Sequence, residues 1–193
     1  MSTVPVIDPS PEQIARTFAG IVAASLRVDP SRVVPDVNLA DLGAESIDIV
    51  EITLDAENAF SIVMPERSVL DIAREVLGDD VVVSEGKLTA IGAELLRRRM
   101  PEVPRDRLVE GARTADVQRE FLRVDAWLRL IAGVLEWSPR ACPKCRSALV
   151  QGAPGQVKCV ACGEVTSLPA GDDLAREWVR STAARMREGG PGA

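Results

Sequence analysis

The sequence contains no histidine and no tyrosine, and aromatic residues make up only 3% of its 193 residues. Without imidazole, the Ser-His-Asp and Cys-His nucleophile systems are excluded, and so is general acid or base catalysis by histidine. Any bound metal ion must therefore be held by cysteine, aspartate or glutamate. The common enzyme classes that depend on histidine are not expected here.

Long apolar runs and a basic leader segment are also missing. No stretch approaches the roughly 18 apolar residues of a membrane span, and the opening residues MSTVPVIDPSPEQ contain no basic segment followed by an apolar one. We therefore expect no membrane partner, no targeting signal and a cytoplasmic location. The apolar fraction of 46% and the charged fraction of 27% are typical of a globular protein.

Negative charge is concentrated in the first half of the chain. Residues 1–100 carry 17 acidic and nine basic side chains, whereas residues 101–193 carry 12 and 14. An acidic half attracts basic protein surfaces and repels nucleic acid. The difference in charge predicts two parts with different roles.

Apolar residues recur at helical spacing along most of the chain, which predicts a mainly α fold. Residues 1–100 are expected to form a four-helix bundle, followed by a linker at 101–112. Residues 113–188 are expected to hold a long helix from Thr114 to about Trp137, a small cysteine module with a short β hairpin, and a C-terminal helix. Because all three tryptophans lie in this second half, we expect its parts to share one core. Residues 189–193 are expected to be a disordered tail.

A serine stands at the start of the second predicted helix, in the stretch Asp41–Val50, which reads DLGAESIDIV. Gly43 permits a tight turn, and Ser46 lies beside the unpaired amide groups of the first helical turn. A phosphodiester attached at Ser46 would be stabilised by the positive end of the helix dipole. The alternative is that Ser46 is only an N-cap, since serine is a preferred N-cap residue.

Acidic residues form a stripe on the helix that follows. Asp48, Glu51 and Asp55 are spaced at i, i+3 and i+7, so they share one face that a basic partner protein can recognise. The alternative is an ordinary solvated helix face.

Residues Leu42-Gly43-Ala44-Glu45-Ser46-Ile47 resemble the attachment motif of acyl and peptidyl carrier proteins. The resemblance extends over about residues 10–100. It covers the first helix, the long loop, the motif helix, the break at Met64-Pro65-Glu66 and a last helix opened by Leu88-Thr89. Glu45 stands where the family usually has aspartate.

The resemblance implies a non-catalytic carrier. In this family the serine, here Ser46, receives a 4'-phosphopantetheine arm from coenzyme A through a separate phosphopantetheinyl transferase that uses Mg2+. The arm then carries an acyl or aminoacyl thioester among loading, condensing and modifying enzymes of fatty acid, polyketide or peptide biosynthesis. The positions that match the family's docking helix are the apolar residues Ile47, Val50 and Leu54 and the acidic residues Asp48, Glu51, Asp55 and Glu57.

The four cysteines fall into two pairs, Cys142/Cys145 and Cys159/Cys162, with thirteen residues between the pairs. Two CxxC motifs at this spacing predict two knuckles joined by a hairpin, with four thiolates converging on one metal ion. Four thiolates suit Zn2+ and leave no open coordination position, although a rubredoxin-like iron site has the same ligands.

The cysteine module resembles a zinc ribbon, a class whose members bind nucleic acids or proteins. Lys144, Arg146 and Lys158 lie near the knuckles, but no aromatic residues are interleaved with them, so nucleic acid is not expected as a partner. We therefore expect a partner-docking module. Two alternatives are a regulatory or nucleic-acid adaptor protein whose helical domain is not a carrier, and a thiol enzyme that uses a CxxC pair.

Overall fold

The structure, a computed structural model, describes residues 9–188. These residues form eight α-helices, two small antiparallel sheets and three short 3-10 helices at Pro30–Arg32, Leu39–Leu42 and Arg105–Arg107. The mainly helical fold class is confirmed. The predicted tail at 189–193 lies outside the described residues. Among the helices that the structure describes, none combines the length and apolar character needed to cross a bilayer.

The elements follow one another along the chain, with long connections at residues 27–45, 100–113 and 136–148. The helices are α1 Pro11–Leu26, α2 Ser46–Phe60, α3 Val69–Leu77, α4 Asp79–Val82, α5 Ala90–Arg99, α6 Thr114–Glu120, α7 Val124–Leu135 and α8 Gly171–Glu188. The strands are β1 Val83–Ser84, β2 Lys87–Leu88, β3 Leu149–Gln151, β4 Gln156–Cys159 and β5 Val165–Ser167.

The chain packs as two compact units, and each unit combines two separate stretches. Unit 1 joins the stretch that ends at Met64 to Arg123–Gly171, and unit 2 joins Pro65–Leu122 to the stretch that begins at Asp172. The two units are defined by which residues pack together. The expected division into a helical bundle at 1–100, a linker at 101–112 and a second domain at 113–188 stays a prediction.

Unit 1 is built on the packing of α1 against α2 and α7. Helix α1 begins with a capping box, in which the Gln13 amide N–H donates to Ser10 Oγ and the Ser10 amide N–H donates to Gln13 Oε1. Phe18 is fully buried on α1, and its ring stacks on Trp127 of α7 with a centroid distance of 5.4 Å and an interplanar angle of 22°. A buried aromatic pair of this kind contributes about 0.5–1.5 kcal/mol beyond the burial of its area.

The second sheet, in unit 1, carries the cysteine module. Its strand order is β3-β4-β5, and both pairings are antiparallel. Leu149, Val157 and two of the cysteines form its small buried cluster, with Leu168 packed against it. The expected hairpin is therefore present, and a third strand that was not expected extends it.

Unit 2 is held together by close helix contacts and by charged groups. Gly92 of α5 lies so close to α4 that an added Cβ would stand 2.2 Å from the Val82 carbonyl oxygen. Asp172, in the first turn of α8, accepts hydrogen bonds from the amides of Glu66 and Arg67 just before α3. The guanidinium of Arg176 lies 3.0 Å from Glu75, and Arg67 also pairs with that carboxylate. These contacts fix α8 to α3.

The single long helix expected from Thr114 to about Trp137 is wrong, because the structure has two helices there. Helix α6 ends before Phe121, and Arg123 has an extended backbone with φ −71° and ψ 141°. The two helices also belong to different compact units. The apolar stripe is continuous in sequence, but its two parts are buried in different cores.

The expected shared core of the three tryptophans is also wrong. Trp127 packs on Phe18 in unit 1, whereas Trp178 lies under the guanidinium of Arg99 in unit 2, at 5.6 Å from the ring centroid. Trp137 is 58% exposed.

Candidate functional site

The approach to Ser46 is a tightly hydrogen-bonded turn. The Asn38 side chain caps the 3-10 helix Leu39–Leu42 by accepting from the Ala40 amide at 3.0 Å. Gly43 ends that helix with φ +95°, a left-handed conformation that glycine adopts without strain. The Ala44 amide then donates to the Leu39 carbonyl at 3.0 Å. The turn therefore leads the chain into α2 along a defined path.

Ser46 is the first residue of α2, and its side chain is exposed. The N-cap is Glu45, whose backbone is extended and whose amide donates to Asp48 Oδ2 at 2.7 Å. The interpretation of Ser46 as merely an N-cap is therefore wrong. Its hydroxyl lies at the positive end of a fifteen-residue helix without being needed to start that helix.

Helix α2 exposes large apolar side chains on one face. Ile47 is 70% exposed, and Val50 and Leu54 are each 53% exposed. The opposite face buries Ile52 and Ala56 in unit 1. An exposed apolar group next to acidic side chains is typical of a protein-binding surface rather than of a simply solvated helix face.

The acidic residues of α2 differ in their exposure and in their hydrogen-bond partners. Glu51 and Asp55 are exposed, and Glu51 accepts a long hydrogen bond of 3.4 Å from Ser25 Oγ. Asp48 is half-buried and ties down the start of the helix. Glu57 is also half-buried, and its carboxylate accepts from the Met64 amide at 2.8 Å. Glu57 thus has a structural role that the sequence did not reveal. The docking role of the acidic set stays a prediction.

The four cysteine sulfurs converge at one end of the β3-β4-β5 sheet. Cys142 and Cys159 are buried and Cys145 and Cys162 are exposed, and all four Sγ atoms lie within 4.8 Å of one another.

The two knuckles have the same backbone design. The residue after each second cysteine, Arg146 or Gly163, has a positive φ, and its amide donates to the carbonyl of the first cysteine of its pair. Each loop therefore turns back so that its two sulfurs point inward.

The sulfur geometry fits a tetrahedral metal ion. The sulfur-to-sulfur distances are 3.4 Å for Cys145–Cys159, 3.5 Å for Cys145–Cys162 and 3.7 Å for Cys142–Cys162. Four sulfurs at about 2.3 Å from a central Zn2+ would be separated by about 3.8 Å. The four side chains are thus placed to hold a metal ion, and the all-sulfur donor set suits Zn2+ in a closed, structural site.

The electrostatics of the knuckles favour the thiolate at Cys145 but not at Cys162. The backbone hydrogen bond at Glu164 lowers the pKa of Cys162, but contact with the Cys145 sulfur and desolvation outweigh it and raise that pKa to about 12. Hydrogen bonding from Ser147, followed by contacts with Cys159 and Cys162, lowers the pKa of Cys145 to about 6, so this thiol is largely ionised at neutral pH. Lys144 pairs with Glu164 at 3.3 Å, and this hydrogen bond raises the pKa of the lysine. Ionised sulfur is the form that binds metal.

Sequence reasoning missed how the cysteine module is fixed within unit 1. Gln151 of β3 donates from Nε2 to the Ala59 carbonyl in the last turn of α2 at 2.7 Å. Gly155 packs so closely that an added Cβ would stand 2.6 Å from Val63 Cγ2. The module is therefore attached to the end of α2 opposite Ser46. Only a glycine-rich stretch in the hairpin hinted at a close approach.

Comparisons with known proteins point to the first half of the chain. The phosphopantetheine attachment site family matches residues 16–76, a segment that contains Ser46. The acyl carrier protein of Prochlorococcus marinus (strain MIT 9515) is 38% identical over 79 residues, which cover 40% of this chain and 96% of that relative. No solved structure matches the chain. Phosphopantetheine is the covalent group that such a site takes.

Proposed function

Because the chain belongs to the acyl carrier protein family, whose members are non-catalytic carriers, we propose that it carries acyl or aminoacyl thioesters on a 4'-phosphopantetheine arm at Ser46. The observation that carries the proposal is the exposed hydroxyl of Ser46 at the first position of α2, with capping left to Glu45. We propose that the protein itself is not an enzyme and moves its cargo between the enzymes of a fatty acid or polyketide pathway.

For the proposed attachment, this chain needs only to expose the Ser46 hydroxyl to the transferase. Ser46 Oγ forms a bond to the phosphorus of coenzyme A that bears the pantetheine, the bond to the adenosine bisphosphate portion breaks, and the hydroxyl proton passes to the transferase or to water. The resulting phosphodiester keeps a negative charge beside the first-turn amides of α2, where the helix dipole stabilises it by roughly 0.3–1 kcal/mol. Once attached, the arm supplies a terminal thiol that holds the cargo as a thioester.

The attachment is tested by the intact mass of the purified protein after incubation with coenzyme A, Mg2+ and a phosphopantetheinyl transferase. We expect a gain of one phosphopantetheine group per chain. An unchanged mass of folded protein with several transferases would contradict the proposal.

We propose that partner enzymes dock on α2 through Ile47, Val50 and Leu54 with Asp48, Glu51 and Asp55 around them. The exposed fractions of the three apolar side chains support this assignment. Surface charges of this kind mainly accelerate encounter with a basic partner.

Replacing Glu51 and Asp55 together with lysine is expected to lower kcat/KM for arm loading about tenfold at low salt, because the encounter is no longer steered. The loss should shrink as ionic strength rises, since the Debye length falls to about 3 Å at 1 M salt. Steady-state kinetics at several salt concentrations measure this. The matched control replaces the exposed Asp80 and Glu110 of unit 2 with lysine and should leave kcat/KM nearly unchanged. Equal losses in both variants would refute docking on α2.

We propose that the cysteine module is a second docking surface for a protein partner. Val160, at the tip of the second knuckle, is 59% exposed, and Val165 of β5 is 51% exposed. Exposed apolar side chains on a rigid, metal-held scaffold favour protein contact. The reduced cysteines that the metal requires also support the proposed cytoplasmic location.

Replacing Val160 and Val165 with aspartate is expected to leave arm loading unchanged and to slow one downstream acyl transfer about tenfold or more, because each added carboxylate would be desolvated without a partner in an apolar contact. The measurement compares the rate of arm loading with the rate of transfer to each partner enzyme. Gln156→Asp, an exposed change on the same sheet, is the control. Normal rates for every transfer would rule out this docking surface.

A further inference from the structure

The geometry points to residues at the start of α7 as positioning residues for the modification of Ser46. This inference rests on the proposed arm attachment and concerns Arg123, Val124 and Asp125. These residues lie outside the segment that matches the attachment-site family. They belong to residues 113–188, which the sequence predicts to be separate from the carrier bundle, yet they pack in unit 1 beside the loop that leads to Ser46.

Two backbone hydrogen bonds join α7 to that loop. The Val124 amide donates to the Val37 carbonyl at 2.9 Å, and the Asp125 amide donates to the Pro35 carbonyl at 2.8 Å. Arg123 also forms an antiparallel bridge with Asn38. We call these paired residues, 35–38 and 123–125, the strap.

The strap provides hydrogen-bond acceptors for backbone amides at the start of α7. The first amides of a helix have no partner within the helix itself. At α7 two of these amides donate to the loop carbonyls, and the Ala126 amide donates to Asp125 Oδ1 at 2.9 Å. The side chain of the N-cap residue Arg123 does not cap the helix. The Arg123 guanidinium forms an ion pair with the Asp125 carboxylate. Nε donates at 3.0 Å and a second nitrogen at 2.5 Å, and both side chains are mostly buried. The strap is therefore a fixed part of unit 1.

The strap is connected to Ser46 by a segment with little freedom. Asn38, the last loop residue of the strap, is itself the cap of the 3-10 helix that precedes Gly43. The Asp41, Gly43 and Ala44 amides all donate to carbonyls within Asn38–Ala40. Leu39 is fully buried and anchors this turn in the core. A shift of the strap would therefore be transmitted to the turn that presents Ser46.

Val124→Pro tests the strap by removing one donor without disturbing the helix. Val124 is the first residue of α7, where proline is well accepted, and Arg123 already has the extended backbone that precedes proline. Loss of one hydrogen bond of about 0.5–1.5 kcal/mol corresponds to a two- to tenfold effect. We expect kcat for arm loading to fall by this factor and KM to stay constant, since the docking face of α2 is unchanged.

Hydrogen exchange supplies a readout that does not depend on loading. The amides of Ala40, Gly43 and Ala44 should exchange faster in Val124→Pro, while those in the middle of α2 should not. A purely stabilising role of the strap would lower the thermal midpoint and leave kcat unchanged at a temperature where the variant is folded.

Two control variants separate the lost donor from other changes. Val124→Ala keeps the amide and removes more of the buried side chain than proline does, so it should retain kcat if the lost donor is what matters. Ala90→Pro places proline at the exposed first position of α5, and it should also retain kcat. If Val124→Pro does not fold, Arg123→Gln, which breaks the ion pair within the strap, is expected to lower kcat in the same direction.

The outcomes distinguish this inference from the proposed function. Failure of the unmodified sequence to gain the arm would overturn both. Normal gain of the arm with an unchanged kcat in folded Val124→Pro would overturn the positioning role alone, and so would an equal loss in Val124→Ala.

Discussion

The Ser46→Ala variant is expected to gain no mass with coenzyme A and any phosphopantetheinyl transferase, whereas the unmodified sequence gains one arm. The loss is complete rather than partial because the hydroxyl oxygen becomes part of the phosphodiester. The substitution should leave the fold intact, because Glu45 and not Ser46 caps α2. Because Ser46 is exposed and alanine is well accepted in helices, we expect the free energy of unfolding to change by no more than about 0.5 kcal/mol.

Intact-mass spectrometry with a thermal unfolding curve measures both parts of this result. Ser84→Ala removes another exposed serine hydroxyl and should keep the full gain in mass. A residual gain in Ser46→Ala would place the arm on a different residue. A large loss of stability would mean that the serine has a structural role that the geometry of α2 does not show.

Removal of the metal is expected to unfold the β3-β4-β5 sheet. Closed sites of four thiolates contribute apparent binding free energies of about 10–16 kcal/mol, and the buried cluster around Cys142 and Cys159 is otherwise small. Cys159→Ser replaces one of the buried ligands and should abolish tight metal binding. Because Gln151 hydrogen-bonds to Ala59, we also expect faster hydrogen exchange in the last turn of α2.

Elemental analysis of the purified protein and hydrogen exchange with and without a chelator measure this prediction. One zinc per chain is expected, and the Lys144→Ala variant, which changes a knuckle residue that is not a ligand, should retain it. Iron in place of zinc would show as visible colour and would correct the metal assignment. Full protection of the sheet after metal removal would contradict a structural role for the metal.

Local patterns were enough to predict where Ser46 lies and that the four cysteines lie together. Ser46 at the start of α2 follows from a glycine turn and from helical spacing over the next fifteen residues. The metal cluster follows from two CxxC pairs, since each knuckle is a local turn and its ligands need only a hairpin to meet. Both features depend on short stretches of chain, where residue type and spacing are sufficient.

The parts that sequence reasoning missed all depend on contacts between distant residues. The stripe from Val117 to Leu135 has unbroken helical spacing, yet the loop carbonyls of Pro35 and Val37 take the amides of Asp125 and Val124. The spacing of apolar residues does not reveal that these loop carbonyls compete with a continuous helix for the two amides. The sequence likewise does not show that Trp127 packs against Phe18 of α1 rather than against residues close to it in the chain.

The two-part composition of unit 1 has a consequence for protein synthesis. The stretch that holds Ser46 is synthesised first. Residues 65–122 must then be made before Arg123–Gly171, the second stretch of unit 1, can follow. At about 5–20 residues per second, that delay lasts roughly 3–12 seconds. During this interval α1 and α2 lack the helix that stacks on Phe18. In a growing chain the aromatic pair of Phe18 and Trp127 therefore forms only after α7 has been made, so the core around α1 and α2 is completed late in synthesis.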